Sequence, residues 1–288
     1  MIDVTLIYVN YFSSNEIINS ILSFKKIHKE LNYEIIIVDN SSSVTEHNKL
    51  NIFQKIKNIM VINLKKNHGF AKACNIGANT AEGKFLFFIN PDTIFYKGKI
   101  TDLIKFYKSN KDCGIVAPVL LNNDYSIQYS ARKFPSLINQ IGGRNSLFNT
   151  LFPHNKLSSD YMYKNINYNQ VQIIDWIRAA AILINKNLFF SVGGFSKNYF
   201  MFVEDIDLSK RLSTLGYKTY IVPNMKIIHL LGTIVDKDPV KKIWMHNKSL
   251  YIYFSKLYNF TILKYILYYL VLFRIIMLTI IKGALKYD

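Results

Sequence analysis

Asp92 is the first residue in the chain placed for chemistry. It ends the triplet Asn90-Pro91-Asp92, directly behind the apolar run Phe85-Leu86-Phe87-Phe88-Ile89. Such a run marks a strand buried on both faces. Pro91 has no N–H to give a ladder and must end it. The polar side chains therefore land at the carboxyl edge of a sheet, where open α/β folds bind ligands. A carboxylate there can hold a hard cation, and the cation a diphosphate; a plain strand-ending turn is the alternative. Asp39, in Asp39-Asn40-Ser41-Ser42-Ser43, can accept from the imide N–H of a pyrimidine base or cap an Asx turn. Gly69, in Asn67-His68-Gly69-Phe70, permits close backbone approach at a helix start, where anions are favoured. Lys72, Asn75 and Asn79 share one helical face, from which Lys72 can reach a phosphate or simply meet water. Trp176, in Asp175-Trp176-Ile177-Arg178, can stack on a sugar face or join the core. Glu204-Asp205-Ile206-Asp207 follows another apolar stretch; acids in such a place ordinarily charge the first turn of a helix. His229 ends a short apolar strand, where a lone histidine is ordinarily structural.

Alternating strands and helices must position these residues. Strands are expected over 4–9, 34–38, 60–64 and 85–89. Ser13 and Glu16 match a capping box that opens a helix to about Lys29, and further helices follow 39–43 and start near Gly69. Short connections between alternating elements make the first hundred residues an α/β unit, a parallel sheet covered on both faces. Asn10, Asp39-Asn40, Asn67-His68-Gly69 and Asn90-Pro91-Asp92 then fall on one edge and outline one crevice. Further on, Asn122-Asn123-Asp124 reads as a hairpin turn. Residues 141–170 read as a mobile loop, a lid on the acceptor side. The run 179–184 reads as a buried strand, and Val192-Gly193-Gly194-Phe195 as a glycine turn.

The totals narrow the classes. Half of the 288 residues are hydrophobic and 15% are aromatic, which excludes a disordered chain. Two cysteines provide no disulfide framework and suit a reducing compartment. A net charge of +17 calls for an anionic partner. No zinc spacing, RNP-like stretch or clustered basic helix points to nucleic acid, which leaves a membrane surface or an anionic small substrate. Neither Gly-x-Gly-x-x-Gly nor a phosphate-loop lysine motif follows the first strand. Met1-Ile2-Asp3 lacks a basic n-region, so no signal peptide is expected.

Taken together, Asp39-Asn40-Ser41-Ser42, Asn67-x-Gly-Phe-Ala-x-Ala-x-Asn-x-Gly and Asn90-Pro91-Asp92 resemble the inverting family-2 glycosyltransferases, and among them the rhamnosyltransferase-like subgroup of bacterial surface polysaccharide synthesis. The similarity covers roughly residues 3–255. It implies a GT-A (Rossmann-like) fold, with a mixed, mainly parallel sheet flanked by helices. It also implies a nucleotide-sugar donor (dTDP- or UDP-sugar, first dTDP-rhamnose), a glycan or lipid-linked acceptor, and Mn²⁺ or Mg²⁺. By the same resemblance Asp39 contacts the base, and Asp92 binds metal and diphosphate, with His229 as a second metal ligand. Asp205 is the base and Glu204 its supporting neighbour. Asn10, Asn67, Gly69, Phe70, Lys72, Asn75 and Asn90 complete the expected donor side, and Trp176, Arg178 and Gly194 the acceptor side. Two departures stand out. Asn90 replaces the first aspartate of many relatives, leaving fewer charged metal ligands, and Ala179-Ala180-Ala181 replaces the usual Gly-Ala.

The chain divides by expectation into a nucleotide-sugar half (1–110), an acceptor and catalytic half (111–232) and a helical C-terminal segment (233–288). From Lys226 onward ten Lys/Arg face three Asp/Glu. The stretch 262–281 approaches the roughly 20 residues that span a bilayer, but Lys264 and Arg274 interrupt it. Its wheel favours an in-plane helix on an anionic leaflet, which implies a peripheral enzyme at the cytoplasmic face of the cell membrane. A true span, or a packing helix in a homodimer, is the alternative. Two other functions compete with the transferase: a sugar-nucleotide nucleotidyltransferase and a membrane-bound interaction module without turnover.

Overall fold

The computed structural model describes residues 2–136, 156–230 and 239–258, with Tyr268, Tyr269, Leu272, Ile276 and Met277 beyond. The apolar run after Lys84 forms β4 (Phe85–Ile89), buried throughout. It lies inside a mixed sheet. The strand order is β3 (Ile59–Asn63), β2 (Tyr33–Asp39), β1 (Val4–Asn10), β4, β10 (Ala181–Asn185), β6 (Cys113–Leu121), β11 (Lys218–His229) and β5 (Thr93–Lys97), with β8 (Gln172–Ile174) also pairing β11. β3, β2, β1 and β4 run parallel, whereas β10 enters antiparallel between β4 and β6. A separate ribbon pairs β7 (Ala131–Arg132) with β9 (Trp176–Ile177). Since β5 pairs with β11, both expected halves share one sheet.

Both faces are covered, which is why the strands read as unbroken apolar runs. On one face Leu6, Tyr8 and Phe87 pack under Ile17, Ile21 and Phe24 of α1 (Ser14–Ile27) and under α4 (Ile100–Ser109). On the other, Ile7, Val9 and Phe88 meet α3 (Phe70–Thr80), α6 (Lys186–Ser191) and α7 (Glu204–Thr214). Full burial of one such side chain stabilises by about 1.5–3 kcal/mol. α3 lies close to the sheet because its inner face is Ala71, Ala73, Cys74, Gly77 and Ala78. A Cβ on Gly77 would stand 2.8 Å from Ile7 Cγ2. α2 (Val44–Leu50) follows β2, α5 (Lys156–Tyr161) precedes β8, and α8 (Pro239–Leu257) closes the described chain.

Several expectations are corrected or sharpened. The capping box is absent: the Ser13 hydroxyl donates to Asn10 Oδ1 at 3.1 Å, and Ser13 makes no side-chain cap. The helix it precedes ends at Ile27, short of Lys29. The strand expected over 179–184 starts only at Ala181, because Ala179 and Ala180 bond elsewhere. The Asn122 turn does fold back, with a Leu121–Ile127 bridge. Of the loop expected over 141–170, residues 141–155 lie outside the described residues, as does most of the helix expected over 262–281, while 156–170 is corrected: it carries the helix Lys156–Tyr161 and the buried Tyr168. No helix among the described residues is long and apolar enough to cross a membrane.

Candidate active site

The parallel register places Asn10 beside Asp39 and Asp39 beside Asn63, so three strands deliver polar groups to one level of the carboxyl edge. Asp39 Oδ1 accepts from Asn10 Nδ2 (2.9 Å), Ser41 Oγ (2.7 Å) and Ser41 N–H (3.1 Å). All three bonds fall on one oxygen, and Oδ2 carries none of them. Asn10 is fully engaged, since its Oδ1 takes the N–H and hydroxyl of Ser13. It therefore orients Asp39 and has no group left for a donor. Glu46, buried beside them, also accepts from Asn10 at 3.4 Å. Its burial is outweighed by hydrogen bonds from Lys49, Ser14 and Asn10, which hold its pKa low. Tyr11 and Phe12 follow on the same loop, half exposed, as an edge-to-face pair 5.0 Å apart.

Asp92 lies between β4 and β5, and its carbonyl accepts from Leu230 N–H at 2.8 Å. His229 pairs with Thr93 across β11 and β5. These two backbone links bring side chains from distant sequence together. His229 Nε2 lies 3.3 Å from Asp92 Oδ1 and 3.3 Å from Asn90 Nδ2. His229 Nδ1 stands 2.7 Å from Gln128 Oε1. Gln128 Nε2 donates to the His229 carbonyl (3.1 Å) and to Asn122 Oδ1 (3.0 Å), which settles the orientation of its amide. An amide oxygen only accepts and an amide nitrogen only donates. Nδ1 therefore donates to Gln128, and Nε2 is the ring atom that faces Asp92 and Asn90. Asp92, His229 and Asn90 fit a divalent ion whose remaining positions a diphosphate supplies. Among the described residues no cluster of three His, Cys, Asp or Glu forms a metal site from protein alone. Gln128 carried no motif; only its polar type between apolar neighbours in the returning hairpin strand could have flagged it.

The segment after β3 behaves differently from expectation. Asn67 Oδ1 accepts from Asn40 Nδ2 and from Gly69 N–H, and Asn40 Oδ1 takes His68 N–H. This lattice pins the start of α3. Gly69, at φ 82°, is required by protein: a Cβ there would stand 2.3 Å from the Phe200 carbonyl, which accepts from Phe70 N–H at 2.8 Å. That amide is therefore closed to a phosphate. Asn75 is likewise corrected: its amide clamps Phe195, donating to the carbonyl (2.7 Å) and accepting from the N–H (3.0 Å). Lys72 stays exposed.

The three acids at the start of α7 take three roles. Asp205 accepts from Ala179 N–H at 3.2 Å and from Ile206 N–H at 2.9 Å. Burial raises its pKa, partly offset by those amides and by the charge of Arg178. Glu204 is buried, and its Oε2 has no hydrogen-bond partner. Burial, with Asp205 adjacent, pushes it well above the usual carboxylate range. Asp207 is structural, bonded by Arg211, Tyr199 and Lys256. Asp205 is linked to the loop that carries Asp92 through Ala179-Ala180: Ala179 N–H donates to Asp205, and Asn90 N–H donates to the Ala180 carbonyl at 2.8 Å.

On the expected acceptor side, Trp176 Nε1 donates to the Lys133 carbonyl at 2.8 Å and the ring is partly exposed. Gly194 is corrected to a buried lock. At φ 66° it bonds Arg211 through its carbonyl, and a Cβ there would stand 2.8 Å from Asn75 Oδ1.

The sequence and the fold are both matched in known proteins. Residues 5–165 match the family described as glycosyl transferase family 2; the chain belongs to that family and is a glycosyltransferase. It is 25% identical over 266 residues to the N-acetylglucosaminyl-diphospho-decaprenol L-rhamnosyltransferase of Mycobacterium tuberculosis H37Rv, covering 88% of this chain and 85% of the relative. It is 25% identical over 199 residues to the dTDP-rhamnosyl transferase RfbF of Shigella flexneri, covering 68% of this chain and 55% of the relative. Among solved structures, GalNAc-T7 with UDP, GalNAc and Mn²⁺ superposes with a TM-score of 0.60 at 16% identity, over 80% of this chain. The chain spans 44% of that solved chain, and the likeness identifies the fold as GT-A-like α/β.

Proposed function

We propose that this chain transfers L-rhamnose from dTDP-rhamnose, with inversion, to a glycan or lipid-linked oligosaccharide in surface polysaccharide synthesis. The observation that carries the reading is the Ala179-Ala180 bridge, which hydrogen-bonds Asp205 through the Ala179 N–H and the loop that carries Asp92 through the Ala180 carbonyl. The names of the rhamnosyltransferase relatives support the sugar, and the decaprenol-linked substrate of one supports the acceptor. Family membership decides against the nucleotidyltransferase.

In this mechanism Asp39 Oδ2 receives the imide N–H of the base, and Tyr11 and Phe12 offer apolar surface to it. Asp92 and His229, beside Asn90, would hold a divalent cation, Mn²⁺ or Mg²⁺, which when bound would supply positive charge to the departing nucleoside diphosphate. Asp205 takes the proton from the acceptor hydroxyl as its oxygen attacks the anomeric carbon from the face opposite the diphosphate. Glu204, buried beside Asp205, is its supporting neighbour. Trp176 and Arg178 line the acceptor approach. The enzyme works peripherally at the cytoplasmic face of the cell membrane; its net charge of +17 and the half-exposed Trp244 on α8 support this.

The test is acceptor-dependent release of dTDP from dTDP-rhamnose, with polyprenyl-diphosphate-linked N-acetylglucosamine as acceptor and with Mg²⁺ or Mn²⁺ present or chelated. Turnover with a UDP-sugar instead would remove rhamnose and keep the transferase. Binding of donors without turnover on any acceptor would favour the interaction module.

A further inference from the structure

The segment leading into Asp205 adopts a backbone that its own residues resist. Phe202 and Val203 both sit in the left-handed region, at φ 67° and 70°, although neither is glycine and Val203 is β-branched. Such conformations persist only where the surroundings over-determine them. From one side the surroundings are α3, whose Phe70 N–H holds the Phe200 carbonyl. From the other side they are α8, which lies beyond residues 5–165 that match the family.

We propose that α8 is a strut that sets the position of the catalytic base, with Ser249 as its positioning residue; this rests on the reading of Asp205 as that base. Ser249 Oγ donates to the Met201 carbonyl at 2.8 Å, directly before the left-handed pair. The His246 ring meets the Phe202 ring edge-on at 5.6 Å. Leu250, Tyr253 and Phe254 enclose Val203 and Ile206 in a buried cluster. One turn further, Lys256 Nζ reaches Asp207 Oδ1 at 3.2 Å. These residues recur at helical spacing along one face of α8, and together they hold the positions four, three and two before Asp205 and two after it. An ordinary packing helix needs only the apolar cluster. The hydrogen bond to Met201 adds a fixed length at the point where the chain turns left-handed, and it settles where the first turn of α7 begins. A displacement of about 1 Å at a reacting group can lower a rate by about a hundredfold, so a loosened turn shows in kcat before it shows in donor binding.

The test compares Ser249→Ala, Ser249→Thr and Asp205→Asn in the full-length chain, with initial rates of transfer and thermal unfolding on the same preparations. Ser249→Ala is expected to lower kcat about tenfold, with the donor KM within about twofold and the melting temperature little changed. Ser249→Thr, which keeps the hydroxyl, is expected to restore most of the rate. Parental kcat in Ser249→Ala, or a loss that tracks melting temperature and is not restored by Thr, would overturn the strut. If Asp205→Asn transfers at the parental rate, the base assignment itself fails, an outcome separate from either Ser249 result.

Discussion

Asp205 receives the backbone N–H of Ala179 at 3.2 Å, and the neighbouring Ala180 carbonyl receives Asn90 N–H at 2.8 Å. A single dipeptide thus ties Asp205 to the loop that carries Asp92. Ala179 and Ala180 are both buried, and the strand begins only at Ala181. The following predictions test what each side of the bridge does.

Asp205→Asn keeps the shape and both backbone hydrogen bonds but loses basicity. Transfer is expected to fall by about 10²–10⁴-fold, with donor affinity by calorimetry within about threefold. Since burial raises the pKa of Asp205, parental kcat is expected to rise with pH through that raised value, as the carboxylate forms. A flat acid limb contradicts the assignment.

Glu204→Gln is expected to stabilise the protein. The folded-state pKa of Glu204 lies above its unfolded value because of burial and the adjacent Asp205. The stability it contributes is complete below the unfolded pKa and is lost as pH rises through the folded one. Glutamine does not titrate, so the melting-temperature difference, mutant minus parent, should widen as pH rises above the unfolded carboxylate value. A difference that is constant with pH would show that Glu204 is not held neutral.

Gln128→Ala removes the acceptor that keeps the His229 proton on Nδ1. Mn²⁺ affinity in the presence of dTDP, followed by electron paramagnetic resonance, is expected to fall about 10–100-fold. Gln128→Glu retains an acceptor oxygen for Nδ1 and should bind Mn²⁺ better than Gln128→Ala. The reverse order would exclude the tautomer argument.

Gly69→Ala meets both a positive φ and the Phe200 carbonyl at 2.3 Å from the new Cβ. The expected destabilisation in urea is about 1–3 kcal/mol, accompanied by a lower kcat because Phe200 begins the segment that leads to the base. Parental stability would mean that the α3–Phe200 contact is dispensable.

Part of this site was legible in the chain itself. The apolar run before Asn90-Pro91-Asp92 became β4 with the expected bounds, because a continuous apolar stretch stopped by proline leaves few alternatives. The acids of α7 were equally visible, as a local cluster behind an apolar stretch. Their division of labour was not. Glu204, Asp205 and Asp207 differ only in which neighbours the fold gives them: a dry pocket, a pair of backbone amides, or Arg211, Tyr199 and Lys256.

Sequence alone determined the strands, their polar ends and the edge those ends share, since strand period and turn chemistry act over a few residues. Tertiary structure decided which of those polar groups remain available. Gln128 meets His229 across 101 residues, and Asn75 meets Phe195 across 120, separations over which no local pattern carries information. It also decided that β10 enters antiparallel and that α8 lies against the left-handed turn before Asp205. Both follow from burying apolar faces made by distant parts of the chain, a constraint that only the assembled core can impose.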